Sequence, residues 1–159
     1  MVPRPILITA PKDGGKSTYL INMLASPQWR SLRICGVLAL ANQQKTEYTL
    51  KDLKSGEEWL VLSERIQPNW PRFGRFYINE EAFAWANASI IATLRQAQVA
   101  VFDEIGRLEL AGRALLPAFE ASLKTEGVQT IAVVRTEFVE AVNDTFCSGR
   151  AEIRGVGFE

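Results

Sequence analysis

The sequence predicts an α/β fold in which helices cover both faces of a largely parallel sheet. Two short apolar runs, residues 6–9 and 99–102, have the composition of strands that are buried on both faces. Stretches between such runs repeat apolar residues at the spacing of one buried helix face. Strands that alternate with helices in this way are typical of three-layer α/β domains. The length of 159 residues suits one domain, so we expect residues 1–159 to form a single unit.

The predicted strands are short runs rich in β-branched and aliphatic residues. Residues 46–52 and 57–63 alternate polar and apolar side chains on either side of a Lys-Ser-Gly turn, which predicts an antiparallel hairpin that decorates an edge of the sheet. The run QPNWPRFG at residues 67–74 is rich in turn formers and predicts a loop. The remaining predicted strands are residues 6–9, 33–40, 75–78, 99–102, 128–134 and 153–158.

The predicted helices have recognisable start and stop signals. Ser26 and Pro27 end the first helix, because the residue before a proline disfavours helical conformation. Asn79 is a suitable N-cap for the second helix, and Gly127 is a suitable stop for the third. The four predicted helices cover residues 16–24, 80–97, 113–125 and 137–143.

The composition excludes several kinds of chemistry and of partner. The chain has no histidine, so it holds no Ser-His or Cys-His catalytic pair and no histidine-ligated metal. Its 18 basic and 18 acidic residues balance, and we expect neither a nucleic acid nor a membrane partner. No apolar run reaches the roughly 18 residues of a membrane span, and the start of the chain lacks the pattern of a signal peptide. Because Cys35 and Cys147 have no paired spacing, we expect reduced thiols and a cytoplasmic protein.

The strongest motif is the run APKDGGKS at residues 10–17, a phosphate-loop pattern with alanine in place of the usual first glycine. It lies between an apolar strand and a helix, as the pattern requires. Gly14 and Gly15 let the backbone approach an anion closely because they carry no Cβ. The backbone N–H groups from Asp13 to Thr18 are then expected to point at the β- and γ-phosphates of a nucleotide.

Individual positions of this loop have predicted roles. Lys16 brings a positive charge to the β- and γ-phosphate oxygens, and the Ser17 hydroxyl is a ligand for Mg²⁺. Asp13 would repel the phosphates unless its carboxylate faces solvent or pairs with Lys12. The predicted nucleotide-binding residues are Ala10, Pro11, Lys12, Asp13, Gly14, Gly15, Lys16, Ser17 and Thr18.

A second motif is the apolar strand that ends in two carboxylates, Asp103 and Glu104. In a chain with a phosphate loop, Asp103 is expected to hold Mg²⁺ through a water molecule. Glu104 is expected to orient or deprotonate the water that attacks the γ-phosphate, and Lys16 is the other predicted catalytic residue. Since there is no histidine, a carboxylate is the expected base.

The glutamate directly after the Mg²⁺-binding aspartate suggests P-loop folds with an additional strand between the loop strand and the acidic strand. Residues 128–134 would form that strand, and Arg135 would then face the γ-phosphate as a sensor. Arg107, Arg72 and Arg75 are further candidates to stabilise the charge of a phosphoryl transition state.

The run DEIGRLEL at residues 103–110 resembles the DEIGxxEL signature of the cancer-related nucleoside-triphosphatase family, which comprises small P-loop proteins of about this length. The phosphate loop, the strand ending in Gly36, the hairpin and the run FGRFY at residues 73–77 fall in a similar order, so the resemblance covers most of the chain. It implies a P-loop NTPase fold. It also implies slow, Mg²⁺-dependent hydrolysis of ATP, GTP and other nucleoside triphosphates to diphosphate and phosphate, with loose base selectivity.

The chain departs from the family's pattern at three places. Ala10 replaces the first glycine of the loop, and residues 37–42 read VLALAN where the family has a run with threonine and glutamate. Arg107 stands where a lysine is commoner. These departures indicate a divergent branch.

Two other functions fit the same residues. A nucleotide or small-molecule kinase on this fold needs an acceptor pocket and a lid, and the hairpin and the 67–74 loop are candidates for both. A non-catalytic, nucleotide-gated module would bind a protein partner through exposed Trp70, Phe73 and Phe76. The sequence does not identify such a partner.

Overall fold

A computed structural model describes residues 1–10 and 15–156, and within these residues one sheet of nine strands is flanked by helices. The strands are β1 (Ile6–Ala10), β2 (Ile34–Ala41), β3 (Glu47–Asp52), β4 (Glu58–Ser63), β5 (Arg72–Phe73), β6 (Phe76–Ile78), β7 (Val99–Asp103), β8 (Gln129–Arg135) and β9 (Glu152–Gly155). The helices are α1 (Lys16–Ala25), α2 (Pro27–Arg30), α3 (Glu80–Thr93), α4 (Arg107–Leu110), α5 (Leu116–Leu123) and α6 (Thr136–Phe146), and a 3₁₀ turn at Leu94–Gln96 extends α3.

The strands follow the order β5-β6-β4-β3-β2-β7-β8-β1-β9 across the sheet. From β2 to β9 neighbouring strands are parallel. From β2 to β5 they are antiparallel. The predicted parallel sheet is therefore present, and its antiparallel extension is larger than one hairpin.

Strand β8 lies between β1 and β7, which confirms the additional strand predicted from the Asp-Glu pair. Ile8 of β1 pairs with Val133, and Val101 of β7 pairs with Ile131. The carboxyl ends of β1, β8 and β7 consequently meet at the same edge of the sheet. In open α/β sheets this edge is where ligands bind.

Apolar side chains pack on both faces of the parallel strands, which accounts for three layers. Ile6, Ile8 and Leu20 belong to a buried cluster on the side of α1. Leu7, between two of these residues in β1, belongs to a larger cluster with residues from α3, α5 and α6, among them Phe119. Successive side chains of a strand point to opposite faces, so β1 is buried on both.

The predicted hairpin forms from β3 and β4, but it is not at the edge of the sheet. Leu62 of β4 pairs with Ile78 of β6, and Phe73 of β5 pairs with Phe76. The turn-rich 67–74 segment therefore contributes strand β5, at its end, to the edge. The sequence prediction was wrong here because a two-residue strand carries no period that a pattern could show.

Other boundaries differ for local reasons. The predicted 113–125 helix begins only at Leu116, after Ala114, whose φ of 57° is left-handed, and Pro117 lies in its first turn. Helix α4 was not predicted because one helical turn gives no periodicity. The predicted last strand ends at Gly155, and residues 157–159 lie outside the described part of the chain.

The predicted cap and thiols are confirmed. The Asn79 side chain accepts a hydrogen bond from the backbone N–H of Ala82 at 3.2 Å, as an N-cap does. Cys35 and Cys147 are buried and unbridged, and burial raises the pKa of both thiols, that of Cys147 to about 11. Across residues 1–10 and 15–156, no helix has the length and apolarity to cross a membrane.

Candidate active site

A cleft of about 280 Å³ opens at the edge where β1, β7 and β8 end. One wall comes from the start of α1, the floor from the end of β7, and the opposite wall from β2 and the hairpin. Its lining includes Gly15, Lys16, Ser17, Thr18, Ala39, Ala41, Lys45, Tyr48, Asp103, Glu104 and Arg135. The fold thus collects the later part of the phosphate loop, both acidic residues and one candidate arginine in one place.

The described ends of the phosphate loop join a buried strand to the start of helix α1. Ala10 is fully buried at the end of β1, so the chain enters the loop from the core. Gly15 has a φ of 83° and directly precedes α1, which has no side-chain cap and no acidic residue in its first turn. The first N–H groups of a helix have no partner within it and favour negative charge. Pro11, Lys12, Asp13 and Gly14 lie outside the described residues, so their predicted roles remain predictions.

Ser17 and Asp103 join the start of α1 to the end of β7. The Ser17 hydroxyl lies 3.1 Å from each carboxylate oxygen of Asp103. The backbone N–H of Ala39 donates to Oδ2 of Asp103 at 3.2 Å. Asp103 is only 2% exposed. Burial raises its pKa to about 6, although the Ala39 and Ser17 hydrogen bonds act in the opposite direction.

Glu104 and Arg135 form an ion pair at the floor of the cleft. Arg135 Nε lies 3.1 Å from Glu104 Oε2, and Arg135 Nη1 lies 3.9 Å from Glu137 Oε1. Burial raises the pKa of Glu104, and the positive charges of Arg135 and Lys16 oppose that rise. The sequence predicted both residues at the γ-phosphate, Arg135 by way of the inserted strand that the Asp-Glu pair suggested, and the fold brings the two side chains together.

The other arginine candidates lie elsewhere. Arg107 does not line the cleft, and its guanidinium stacks on the Phe73 ring at 5.4 Å from the centroid. Arg75 pairs with Glu64 at 2.9 Å. Arg72 donates to the carbonyl oxygen of Gly74 at 3.0 Å. The charge-stabilising roles of Arg72 and Arg75 thus receive no support from the geometry, and that of Arg107 remains a prediction.

The aromatic residues considered as a partner surface are less exposed than expected. Trp70, Phe73 and Phe76 are all half-buried. Phe73 packs against the larger apolar cluster, and Phe76 lies edge-on to Tyr48 with ring centroids 5.6 Å apart. Phe73 and Phe76 thus hold β5 and β6 to the sheet, which weakens the case for a binding module.

Four residues of the cleft were missed by sequence reasoning: Ala39, Ala41, Lys45 and Tyr48. They come from the end of β2 and from the hairpin, whereas the motif residues lie in two contiguous runs. Only an indirect signal points to these four residues. Strand β2 pairs with the acidic strand β7, so the residues at and after the end of β2 lie at the same edge of the sheet as the acidic pair.

The residues at this edge fit a nucleotide-bound Mg²⁺. The Ser17 hydroxyl and the Asp103 carboxylate are oxygen donors, which Mg²⁺ prefers, and they already lie in contact. Over residues 1–10 and 15–156, no cluster of three or more acidic or cysteine side chains could hold a metal unaided. Mg²⁺ in such sites takes one or two protein ligands and completes its shell with phosphate oxygens and water.

A phosphate loop that ends on a helix start, facing a buried aspartate across an inserted parallel strand, defines the P-loop NTPase class. The sequence also matches the family described as NTPase over residues 5–153. The chain belongs to this NTPase family, and membership makes it a nucleoside-triphosphatase, an enzyme that hydrolyses phosphoanhydride bonds.

Known relatives and solved structures agree with that membership. The chain is 25% identical over 130 residues to the nucleoside-triphosphatase THEP1 of Thermofilum pendens, covering 79% of this chain and 71% of the relative. The solution structure of a human cancer-related nucleoside triphosphatase superposes with a TM-score of 0.75 at 20% identity, over 99% of this chain and 90% of that one. The crystal structure of THEP1 from Aquifex aeolicus gives a TM-score of 0.70 at 15% identity, over 97% and 90%. At these identities the two structures establish the fold, and the resemblance to the cancer-related family is confirmed as that of a divergent member.

Proposed function

We propose that this enzyme hydrolyses ATP, GTP and other nucleoside triphosphates to the diphosphate and phosphate in a Mg²⁺-dependent reaction. The observation that carries the proposal is the contact between Ser17 and Asp103, at 3.1 Å, beside Glu104. It joins the phosphate-binding start of α1 to the acidic end of β7. In P-loop enzymes these two elements flank the γ-phosphate.

The loop and the start of α1 bind the triphosphate. Their backbone N–H groups donate to the β- and γ-phosphate oxygens, and Lys16 adds its charge from a side chain that is 7% exposed. A charge held in such a buried position acts strongly, because little water screens it. When bound through Ser17 and Asp103, Mg²⁺ would neutralise charge on the β- and γ-phosphates.

Glu104 orients the attacking water and accepts its proton. Its carboxylate lies at the floor of the cleft, next to the end of the strand that carries Asp103. The raised pKa of Glu104 makes it a better proton acceptor while Arg135 and Lys16 still favour the ionised form. Arg135, 3.1 Å from that carboxylate, adds positive charge where negative charge develops on the γ-phosphoryl oxygens.

A kinase is the second candidate, because the cleft continues past Asp103 and Glu104 to a wall made by Tyr48 of β3 and Lys45 of the β2–β3 turn. An acceptor hydroxyl could occupy the position of the attacking water. Release of inorganic phosphate in the absence of any added acceptor supports the hydrolase, whereas transfer of the phosphoryl group to an added acceptor would support the kinase.

The experiment that tests the proposal measures phosphate release from the four common nucleoside triphosphates with and without Mg²⁺. We expect Glu104→Gln to lower turnover by roughly 10²–10⁴-fold with little loss of nucleotide binding, because it removes only the base. Lys16→Ala should weaken binding as well. Glu140→Gln, which alters an exposed carboxylate on α6, is the matched control. Wild-type turnover in both Lys16→Ala and Glu104→Gln would contradict the proposed mechanism.

A further inference from the structure

The wall of the cleft opposite α1 carries a cation that no motif indicates. Lys45 lies in the turn between β2 and β3, and it lines the same cleft as Lys16, Asp103 and Glu104. Neither motif found in the sequence includes this turn, so only the fold reveals the lysine. Two further observations bear on its role: the turn is fixed, and its wall is anchored to Asp103.

The turn that carries Lys45 is held by Asn42. The Asn42 side-chain oxygen accepts from the backbone N–H groups of Thr46 at 2.8 Å and of Glu47 at 3.0 Å. The backbone N–H of Lys45 donates to the Asn42 carbonyl oxygen at 3.0 Å. Lys45 itself has a φ of 59°, a left-handed conformation that residues other than glycine rarely adopt. The fold thus maintains an unfavourable backbone conformation at a residue that lines the cleft.

The same wall is tied to the predicted metal ligand. The Ala39 backbone N–H donates to Asp103 Oδ2 at 3.2 Å, and Ala41 pairs with Tyr48 across β2 and β3. The Tyr48 ring lies edge-on to Phe76, with centroids 5.6 Å apart. The wall therefore has a fixed position relative to Asp103, and its small alanine side chains leave room for a ligand beside Lys45.

The order of the strands indicates which part of a bound nucleotide would lie next to Lys45. The phosphate loop follows β1, the acidic pair follows β7, and Lys45 follows β2 on the far side of that pair. A triphosphate held by the loop presents its γ-phosphoryl group toward Asp103 and Glu104. We propose that Lys45 binds the γ-phosphoryl oxygens and stabilises the charge that develops on them, and so favours triphosphate over diphosphate. This inference rests on the proposed hydrolysis at the same site.

The test compares Lys45→Met with Lys54→Met. Lys54 lies in the turn between β3 and β4, is exposed, and contacts Gln96 outside the cleft, so it is a matched control. Turnover of Mg·ATP and Mg·GTP is measured by phosphate release, and the affinities for ATP, GTP, ADP and GDP by calorimetry. Because one donor aimed at a developing charge contributes about 10²-fold, we expect Lys45→Met to lower kcat by about 10- to 100-fold.

The binding measurements separate the γ-phosphate from the rest of the nucleotide. Lys45→Met should weaken triphosphate binding while ADP and GDP affinities stay within about twofold of wild type, since those ligands lack the group. Lys45→Arg should retain most activity, and Lys54→Met should match wild type. Should Lys45→Met fold poorly, Lys45→Gly removes the amine while suiting the left-handed backbone.

Two outcomes would overturn the inference. One is equal loss of triphosphate and diphosphate affinity, which would place the lysine elsewhere on the nucleotide. The other is wild-type turnover and affinities in Lys45→Met or Lys45→Gly. A wild-type enzyme that binds triphosphates without releasing phosphate would contradict the proposed hydrolysis, while the triphosphate-to-diphosphate comparison would still decide the role of Lys45.

Discussion

Glu109 belongs to the same acidic run as Asp103 and Glu104 but lies in the interior, 4% exposed. Its Oε1 accepts from the backbone N–H of Gly106 at 2.8 Å, and its Oε2 accepts from that of Leu115 at 3.1 Å. One carboxylate therefore fixes the start of α4 and joins it to the segment before α5. Burial raises its pKa to about 7, with the two hydrogen bonds acting against the rise.

The raised pKa of Glu109 predicts that stability falls as pH rises. Between its ordinary value of 4.5 and about 7, the folded protein binds a proton at Glu109 that the unfolded chain has released. The free energy of unfolding then decreases with pH across this window. The contribution of one such group is at most about 3 kcal/mol. Asp103, with its pKa raised to about 6, contributes with the same sign.

Urea unfolding at a series of pH values from about 5 to about 8 tests this linkage in Glu109→Gln. The amide has one acceptor, so we expect a loss of about 1–2 kcal/mol near pH 5, which shrinks as pH rises because only wild type loses stability across the window. The decisive readout is the slope, which should be flatter than in wild type because the titrating group is gone. Glu120→Gln, at an exposed position on α5, should keep the wild-type slope. An unchanged slope in Glu109→Gln would show that Glu109 does not titrate in this window.

The motif residues could be predicted from the sequence because their chemistry is contiguous. Lys16 and Ser17 follow two glycines, and Glu104 follows the buried aspartate of an apolar strand. Lys45 and Tyr48 could not be predicted, because their place in the cleft depends on how the hairpin folds back from β2. No local property of a lysine in a turn distinguishes that arrangement from an ordinary exposed one.

At the scale of elements, the position of β2 depends on the absence of a side chain at Gly36. Gly36 pairs with Val101 of β7, and a Cβ there would lie 2.0 Å from the Val101 carbonyl oxygen. Its φ of 122° is also one that L-residues rarely adopt. The close approach brings the end of β2 to Asp103, where the Ala39 N–H group donates its hydrogen bond.

We therefore expect Gly36→Ala to lower the free energy of unfolding by roughly 3 kcal/mol or more. The added Cβ would force the backbone of β2 or β7 to move, and an alanine is strained at this positive φ. Chemical denaturation measures the loss, and turnover per folded molecule reports the displaced Ala39 amide. Gly56→Ala separates the two causes, since Gly56 has a φ of 79° with open space around it. Gly56→Ala should lower the free energy of unfolding by only about 1 kcal/mol. If Gly36→Ala were no worse than Gly56→Ala, the close strand approach would not constrain β2.

At the scale of the whole molecule, the cleft is lined by residues that are distant in sequence, and the elements that carry them are anchored in the two apolar clusters. Leu20 anchors α1 in the cluster on one face, and Phe102, next to Asp103, belongs to the cluster on the other. The strand order needed to bring them together was predictable, because the Asp-Glu pair indicated an inserted strand. The antiparallel extension was predictable only in part: the hairpin and the 75–78 strand were predicted, but nothing in the two residues of β5 distinguishes a strand from a loop. A ligand that bridges α1 and β7 should accordingly stabilise the entire fold.

Thermal unfolding measures that coupling. A ligand at about a hundredfold excess over its Kd stabilises the folded state by about 2.7 kcal/mol. For a domain of this size that shifts Tm by roughly 5–10 °C. We expect this shift with Mg²⁺ and a nucleoside triphosphate in wild type, a small one with the monophosphate, and almost none in Lys16→Ala, which cannot hold the β- and γ-phosphates. Ser17→Ala should retain part of the shift but lose its dependence on Mg²⁺, because the backbone N–H groups remain and one metal ligand is gone. Equal shifts by monophosphate and triphosphate would mean that the phosphate loop is not what couples the nucleotide to the fold.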